Sequence, residues 1–200
     1  MAVETALPIH GGDRPYVVGL GGTTREGSSS ERALAFALRE AERHGARTMM
    51  FGASELDLPM YSPDAAQRCD LAVRLVREVG VADALIVCTP GYHGGVSGLV
   101  KNALDYLEDL RDTPSPYLEG KAVGCISCAA GWQAAVGTLS ALRAIVHALR
   151  GWPTPFGAAL NSSVPLFDGV RIIDSSAATA LSVVGRQVAE WTPVRAWRRQ

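Results

Sequence analysis

Short, nearly unbroken apolar runs alternate along this chain with turn-rich loops and with apolar residues at helical spacing. Tyr16-Val17-Val18-Gly19-Leu20-Gly21 is the first run. After a Gly/Thr/Ser-rich loop, Ser28 and Glu31 form a capping box, and Leu34, Leu38 and Ala41 recur at helical spacing until His44-Gly45. Further apolar runs follow at 47–52, 84–89 and 122–128, with a fifth expected near 155–160. The helices between and after them carry Leu71, Leu75, Val76 and Val79; then Val96, Leu99, Val100, Ala103 and Leu107; then Val136, Leu139, Leu142, Val146 and Leu149; and finally Leu181, Val184, Val188 and Trp191. Strands buried on both faces read as continuous apolar runs, so the pattern predicts a parallel sheet between two helical layers. One three-layer α/β domain over residues 16–200, after a flexible leader at 1–15, is the expected organisation.

Composition narrows the partners. With 48% hydrophobic residues among 200, the chain can bury a full core, and 19 basic against 20 acidic residues leave a net charge of −1. That balance gives no electrostatic pull toward nucleic acid or an anionic membrane, so small molecules or proteins are the expected partners. Residues 1–15 lack a basic n-region and an apolar h-region, so no signal peptide is expected. The uncharged stretch from Ala122 to Leu142 changes period partway and reads as strand, loop and helix rather than a membrane span. Cys69, Cys88, Cys125 and Cys128 show no spacing of a disulfide-rich secreted domain, which predicts reduced thiols and a cytoplasmic location. Cys125 and Cys128 lie three apart on a predicted strand and so point to opposite faces, which argues against a metal or redox pair.

In a parallel α/β sheet, ligands bind beyond the carboxyl ends of the strands, which singles out the loops after the first, third and fourth runs. The first loop, Gly21 to Ser30, joins small residues, hydroxyls on Thr23, Ser28 and Ser30, the guanidinium of Arg25 and a helix N-terminus. Those are the parts of a phosphomonoester cradle, although a capping box alone accounts for Ser28 and Glu31. The loop has no lysine for a Walker A motif. It has Thr24 where a dinucleotide fingerprint needs a third glycine, and Phe51-Gly52 where that fingerprint needs an acidic residue. No acidic residue ends the first strand, which excludes a receiver domain. No cysteine is followed six residues later by arginine, which excludes a Cys-x5-Arg phosphatase.

The loop after the third run, Pro90-Gly91-Tyr92-His93-Gly94, lets backbone approach a flat ring closely, and it leads into Gly98-Leu99-Val100-Lys101-Asn102-Ala103-Leu104-Asp105. With Thr23, Arg25, Ser28 and Ser30 in the first loop and Leu58-Pro59 after the second strand, the chain resembles the NADPH-dependent FMN reductase family of flavodoxin-like proteins over about residues 16–191. It departs from the family pattern at Thr23, Ser30, Gly91 and His93, and Ala129-Ala130 stands where the family has glycines.

The resemblance implies a flavodoxin-like, doubly wound fold with a five-stranded parallel sheet in the order 2-1-3-4-5. It implies FMN, with NADPH or NADH as electron donor, and flavin-based chemistry that needs no catalytic side chain and no metal. The implied cofactor-binding residues are Thr23, Arg25, Ser28, Ser30, Pro90, Gly91, Tyr92, His93, Gly94, Ser127 and Gly131. His93 is expected to neighbour the flavin, and Trp132 to cover the ring, meet another subunit or simply pack. Two enzyme readings remain: a reductase releasing reduced FMN to a flavin-dependent monooxygenase, and a tightly loaded enzyme reducing quinones, azo dyes, nitro compounds or metal ions. A third reading, an electron carrier without nicotinamide activity, fits poorly with a net charge of −1. Tyr106, Leu107 and Leu110 are expected to form an apolar surface for a homodimer or homotetramer.

Overall fold

The computed structural model describes residues 14–191, so residues 1–13 of the expected 1–15 leader and the charged terminus around Arg195 to Arg199 lie outside the described residues. The first unit is strand β1 (Tyr16–Gly21), helix α1 (Ser29–Arg43) and strand β2 (Arg47–Phe51). The second is α2 (Asp70–Val81) leading into β3 (Ala84–Tyr92), a two-residue strand β4 (Gly95–Val96) and α3 (Gly98–Asp105), which ends in a 3-10 turn over Tyr106–Leu110. The chain continues through β5 (Ala122–Ala129), α4 (Trp132–Ala148), β6 (Trp152–Pro153), β7 (Ala158–Asn161), a small hairpin of β8 (Phe167–Asp168) and β9 (Arg171–Ile172), and α5 (Ser175–Ala189).

The main sheet runs β2-β1-β3-β5-β6, with β7 also on β5, and its pairs are parallel except the β3–β4 hairpin. β6 and β7 lie along successive stretches of the β5 edge: Trp152 and Pro153 face Ala122 and Val123, and Ala158 to Asn161 face Ile126 to Ala129. β7 overlaps the fifth strand expected near 155–160 while β6 lies just before it, so the order 2-1-3-4-5 holds with the last position shared by two short strands. Pro153 and Pro155 supply no N–H to a ladder, so pairing cannot run through. The gap is tied instead by Thr154 N donating to Val123 O at 2.9 Å and Arg143 donating to Thr154 O at 2.9 Å.

Alternate residues of the central strands face opposite helical layers. Val18, Leu20, Leu85, Val87, Val123 and Cys125 pack with α2, α3 and α4, while Val17, Ile86, Cys88, Ile126 and Cys128 pack with α1 and α5. Cys125 and Cys128 therefore do point to opposite faces. Burial of the Cys88 thiol pushes its pKa up, reinforced by its hydrogen bond with Cys128, and burial pushes Cys125 up to about 12. Both remain neutral thiols near pH 7.

Several expected apolar stripes shift. Leu71 and Val136 are exposed, and the buried faces of their helices are Ala72, Leu75 and Val79 in α2 and Ala135, Thr138, Leu142 and Val146 in α4. Small residues let those helices sit closer to the sheet than large ones would. Val96 lies in β4 rather than in a helix, and Trp191 follows α5 instead of belonging to it. Tyr106, Leu107 and Leu110 are buried in the core, which removes the apolar self-association surface expected from them. The 3-10 turn reorients the chain after Asp105 and rolls these side chains inward, where Tyr106 stacks edge-on against Tyr61 at 5.3 Å. The Ala122 to Leu142 stretch splits into β5 and α4, and no helix among the described residues is long and apolar enough to cross a membrane.

Candidate flavin site

Three loops meet at the carboxyl end of the sheet. The first joins β1 to α1. Ser28 is the N-cap, its Oγ accepting from Glu31 N at 3.3 Å and lying 3.3 Å from Ser30 Oγ, with both serines buried. The Glu31 carboxylate accepts from Gly27 N, and it also reaches Ala53 N of the next loop at 3.5 Å. The capping box thus closes on Gly27 rather than on the cap residue itself. Thr23 Oγ1 accepts from Arg25 N and donates to Arg25 O, both at 3.1 Å, folding the loop on itself and leaving the Arg25 guanidinium exposed, without a partner among the described residues. The N–H groups of Ser29 and Ser30 in the first helical turn also have no partner there, as expected at a helix start. A second guanidinium overhangs the loop: a Cβ on Gly27 would lie 3.3 Å from Arg32 Nη2. Sequence reading passed over Arg32. Its signal was its place four residues after the cap, where side chains lean back over the N-terminus.

The second element is not a loose loop. Pro90, Gly91 and Tyr92 extend β3, and His93-Gly94 is a two-residue turn into β4, with Gly91 opposite Val96 and Tyr92 opposite Gly95. Both turn residues have positive φ, 51° and 83°, the backbone that matches the twist of a tight hairpin. Glycine adopts it freely and histidine is among the side chains that tolerate it. Thr89 secures the base of the hairpin: its buried Oγ1 accepts from Ser97 N at 3.0 Å and donates to Pro90 O at 2.9 Å. Gly91 lies flush on α4, since a Cβ there would sit 2.6 Å from Thr138 Oγ1 and 2.9 Å from Ala129 Cβ. Glycine at 91 and alanine at 129 are therefore two halves of one packing arrangement.

The third element follows β5. Gly131 adopts φ 117° and ψ 145°, and its N–H donates to Asn161 Oδ1 at 2.9 Å. Ser127 stands apart from the other residues of the set, because its hydroxyl is buried and donates to Ala135 O at 2.7 Å. Thr23, Arg25, Ser28 and Ser30 thus share one loop, and Pro90 to Gly94 share one hairpin. Gly131 meets Gly94 across a cleft of about 570 Å³ whose lining also includes Trp132 and Gly137.

Behind the site, Asn102 of the Lys-Asn-Ala run holds the Leu58-Pro59 segment. Its Oδ1 accepts from Tyr61 N at 2.8 Å, and its Nδ2 donates to Leu58 O at 3.2 Å and Pro59 O at 3.0 Å. Arg68 clamps the same region, bonded to Asp109 at 2.8 and 2.9 Å and stacked 4.8 Å from the Tyr61 ring centre. Among the described residues no cluster of His, Cys, Asp or Glu could hold a metal ion.

Residues 15–163 match the family model described as NADPH-dependent FMN reductase. The chain belongs to that family. As a member of the FMN reductase family it is 34% identical over 89 residues to an NADPH azoreductase of Bacillus sp. (strain OY1-2), a match covering 44% of this chain and 47% of that protein. It is 37% identical over 99 residues to an FMN-dependent NADPH-azoreductase of Staphylococcus haemolyticus, covering 48% and 49%. The matches span about half the length of these curated relatives. Among solved structures, this family member is similar to FerB, a flavoenzyme NAD(P)H:(acceptor) oxidoreductase from Paracoccus denitrificans, with TM-score 0.74 and 19% identity over 91% of this chain and 98% of that one. It is also similar to the apo form of the NADH:FMN oxidoreductase EMOB, with TM-score 0.65 and 21% identity over 90% and 94%. These likenesses establish the flavodoxin-like fold.

Proposed function

We propose that this protein is an NAD(P)H-dependent flavin oxidoreductase that holds FMN across the three loops. The observation that carries the reading is the convergence, at one end of the sheet, of an anion cradle and a flat, glycine-lined hairpin. The residues fit the group. A phosphate on the first loop would meet the unpartnered N–H groups of Ser29 and Ser30, the Arg25 and Arg32 guanidiniums and the positive end of a 15-residue helix. The rim of a planar ring would meet the His93-Gly94 turn, where a Cβ on Gly94 finds nothing within 4 Å.

When bound, FMN supplies two-electron chemistry, accepting a hydride from NADPH or NADH and returning two electrons to a second acceptor. The protein's part is placement and electrostatics. The N–H groups of His93 and Gly94, unpartnered among the described residues, would be the donors available to the edge of a bound ring. Thr89 and Thr138 hold that turn so that the donors would need no rearrangement. Tyr92, 55% exposed, would border the ring. No side chain of the set is required as an acid or base.

Retention of FMN, with reduction of an organic acceptor, is the favoured form, because hydrogen bonds within each loop, Ser28 with Ser30, Ser97 N to Thr89 Oγ1 and Gly131 N to Asn161 Oδ1, support a preformed site. Release of reduced FMN to a monooxygenase is the alternative. Assembly as a homodimer or homotetramer and cytoplasmic residence enter this reading through the family alone. Titrating the protein with FMN and with riboflavin, following quenching of flavin fluorescence, tests it. FMN binding tighter than riboflavin by at least about tenfold, in line with charge-assisted bonds to one phosphate, is expected. Equal affinities would remove the phosphate cradle.

A further inference from the structure

The capping box at the start of α1 is completed on one side only. Ser28 Oγ accepts from Glu31 N at 3.3 Å, which is the first half of the reciprocal pair. In the usual second half, the acidic side chain returns to the N–H of the cap residue itself. Here the Glu31 carboxylate goes elsewhere. One oxygen accepts from Gly27 N at 2.5 Å, and the other lies 3.5 Å from Ala53 N, just beyond the end of β2. The N–H groups of Ser28, Ser29 and Ser30 are all left without a partner among the described residues.

The surrounding backbone makes room for this diversion. Gly27 stands at φ 64°, a conformation that glycine adopts freely. A Cβ on Gly52 would lie 2.8 Å from Glu31 Oε1, so a side chain at 52 would push the carboxylate away. Gly52 has no positive φ, so its missing side chain serves clearance and not backbone freedom.

The carboxylate acts on the cradle in two ways of opposite sign. Its charge lies beside an anion site and repels what binds there. Its hydrogen bonds pin the loop to the end of β2 and keep three successive N–H groups open, where a usual box would occupy one of them. The guanidiniums of Arg25 and Arg32, neither with an ion pair among the described residues, counter the charge.

We propose that Glu31 is a positioning residue of the anion cradle: its bond to Gly27 holds the loop in the form that offers three serine N–H groups to one phosphate, and this outweighs the repulsion from its own charge. The inference rests on the FMN reading and adds to it a residue outside the cofactor-contacting set. Gly52 supplies the clearance that lets the carboxylate reach Gly27 and Ala53.

The test compares FMN with riboflavin, which lacks the phosphate, by quenching of flavin fluorescence on the full chain, and reads the ratio of the two dissociation constants. Glu31→Ala lowers the preference for FMN about tenfold, the scale of hydrogen bonding to a charged group, and leaves riboflavin affinity unchanged. Glu31→Gln keeps an amide oxygen for Gly27 N without the charge, so the preference returns to the wild-type level or above. Gly52→Ala displaces Glu31 Oε1 and lowers the preference in the same direction, and it adds no further loss when made in Glu31→Ala. A role through charge alone gives the opposite result, a raised preference in both Glu31→Ala and Glu31→Gln, and overturns the inference. An unchanged ratio in Glu31→Ala and Gly52→Ala overturns it as well and leaves the FMN reading standing. Equal losses for FMN and riboflavin make Glu31 a residue of stability only and also overturn it. Should Glu31→Ala fail to fold, Gly52→Ala decides alone, and an unchanged ratio there overturns the inference. A wild-type protein that binds FMN no tighter than riboflavin overturns the cradle and the inference together.

Discussion

The Asn102 side chain accepts the backbone N–H of Tyr61 at 2.8 Å, and through this contact a residue in the middle of α3 fixes the loop that follows β2, 41 positions earlier. With its two amide donations to Leu58 O and Pro59 O, Asn102 joins two sequence motifs that are otherwise far apart in the chain. Asn102→Ala leaves the Tyr61 N–H and the Leu58 carbonyl without this partner, while Pro59 O keeps the Tyr106 hydroxyl at 2.9 Å, which costs about 3 kcal/mol. The thermal midpoint should fall by roughly 6–12 °C for a domain of this size. A fall under about 2 °C in a calorimetric scan would show that water replaces all three bonds.

The Arg25 side chain is exposed and has no partner among the described residues, so removing it should leave stability intact while weakening anion binding. Arg25→Ala is expected to loosen FMN by about 10- to 100-fold, the scale of one charged hydrogen bond, and to leave riboflavin affinity unchanged. The loss should shrink as salt is raised. Isothermal titration with both flavins checks it, and a parallel loss for riboflavin would contradict it.

The left-handed backbone at His93 predicts an order among substitutions. His93→Asn and His93→Gly keep the turn and hold or slightly raise the melting temperature. His93→Val places a β-branched residue at φ 51° and should cost about 1–2 kcal/mol. Chemical denaturation of the three variants reads this order directly.

Gly91 and Thr138 should be energetically coupled. Gly91→Ala drives a Cβ to 2.6 Å from Thr138 Oγ1, and such overpacking costs about 1–3 kcal/mol. Thr138→Ala removes that oxygen, so the double variant should be more stable than the sum of the single losses. Additive losses in a double-mutant cycle would place the strain elsewhere.

Burial of the thiols predicts both reactivity and pH dependence. In the native protein at pH 8 an aromatic disulfide reagent should titrate Cys69, which is exposed, and reach Cys88, Cys125 and Cys128 only after denaturation. Cys125 is raised from 9.0 to about 12, and Cys88 moves in the same direction. A folded pKa above the unfolded one means that the stabilising contribution is complete below about pH 9 and is lost as pH rises toward about 12. Alkaline denaturation of Cys125→Ala should therefore be shallower across that window than that of the wild type.

The alternation of apolar runs and helices was legible because burial on both faces leaves strands such as Tyr16–Gly21 and Ala84–Thr89 with no polar face to blur them. The inward roll of Tyr106, Leu107 and Leu110 was not legible, because a switch from α-helix to 3-10 turn shifts the face without changing composition. The stripe of α4 misled for a related reason: Ala135 and Thr138 are small enough to pack close to the sheet, leaving Val136 outside. In the candidate site, the proposed anion-binding loop was read from residue types alone. Arg32, the inward turn of Ser127 and the hairpin made by Pro90 to Val96 depend on contacts between distant segments, which local pattern does not carry.

Whether these three loops hold an FMN that nicotinamide can reduce is met most directly by the visible spectrum of the FMN-loaded protein, freed of excess flavin and titrated with NADPH, and separately with NADH, in the absence of oxygen. The expected result is a protein-bound yellow chromophore that bleaches with about one equivalent of nicotinamide per flavin, the stoichiometry of hydride transfer, and recovers on adding a two-electron acceptor. A protein that emerges colourless, or one whose bound flavin stays yellow with both nucleotides, would contradict it.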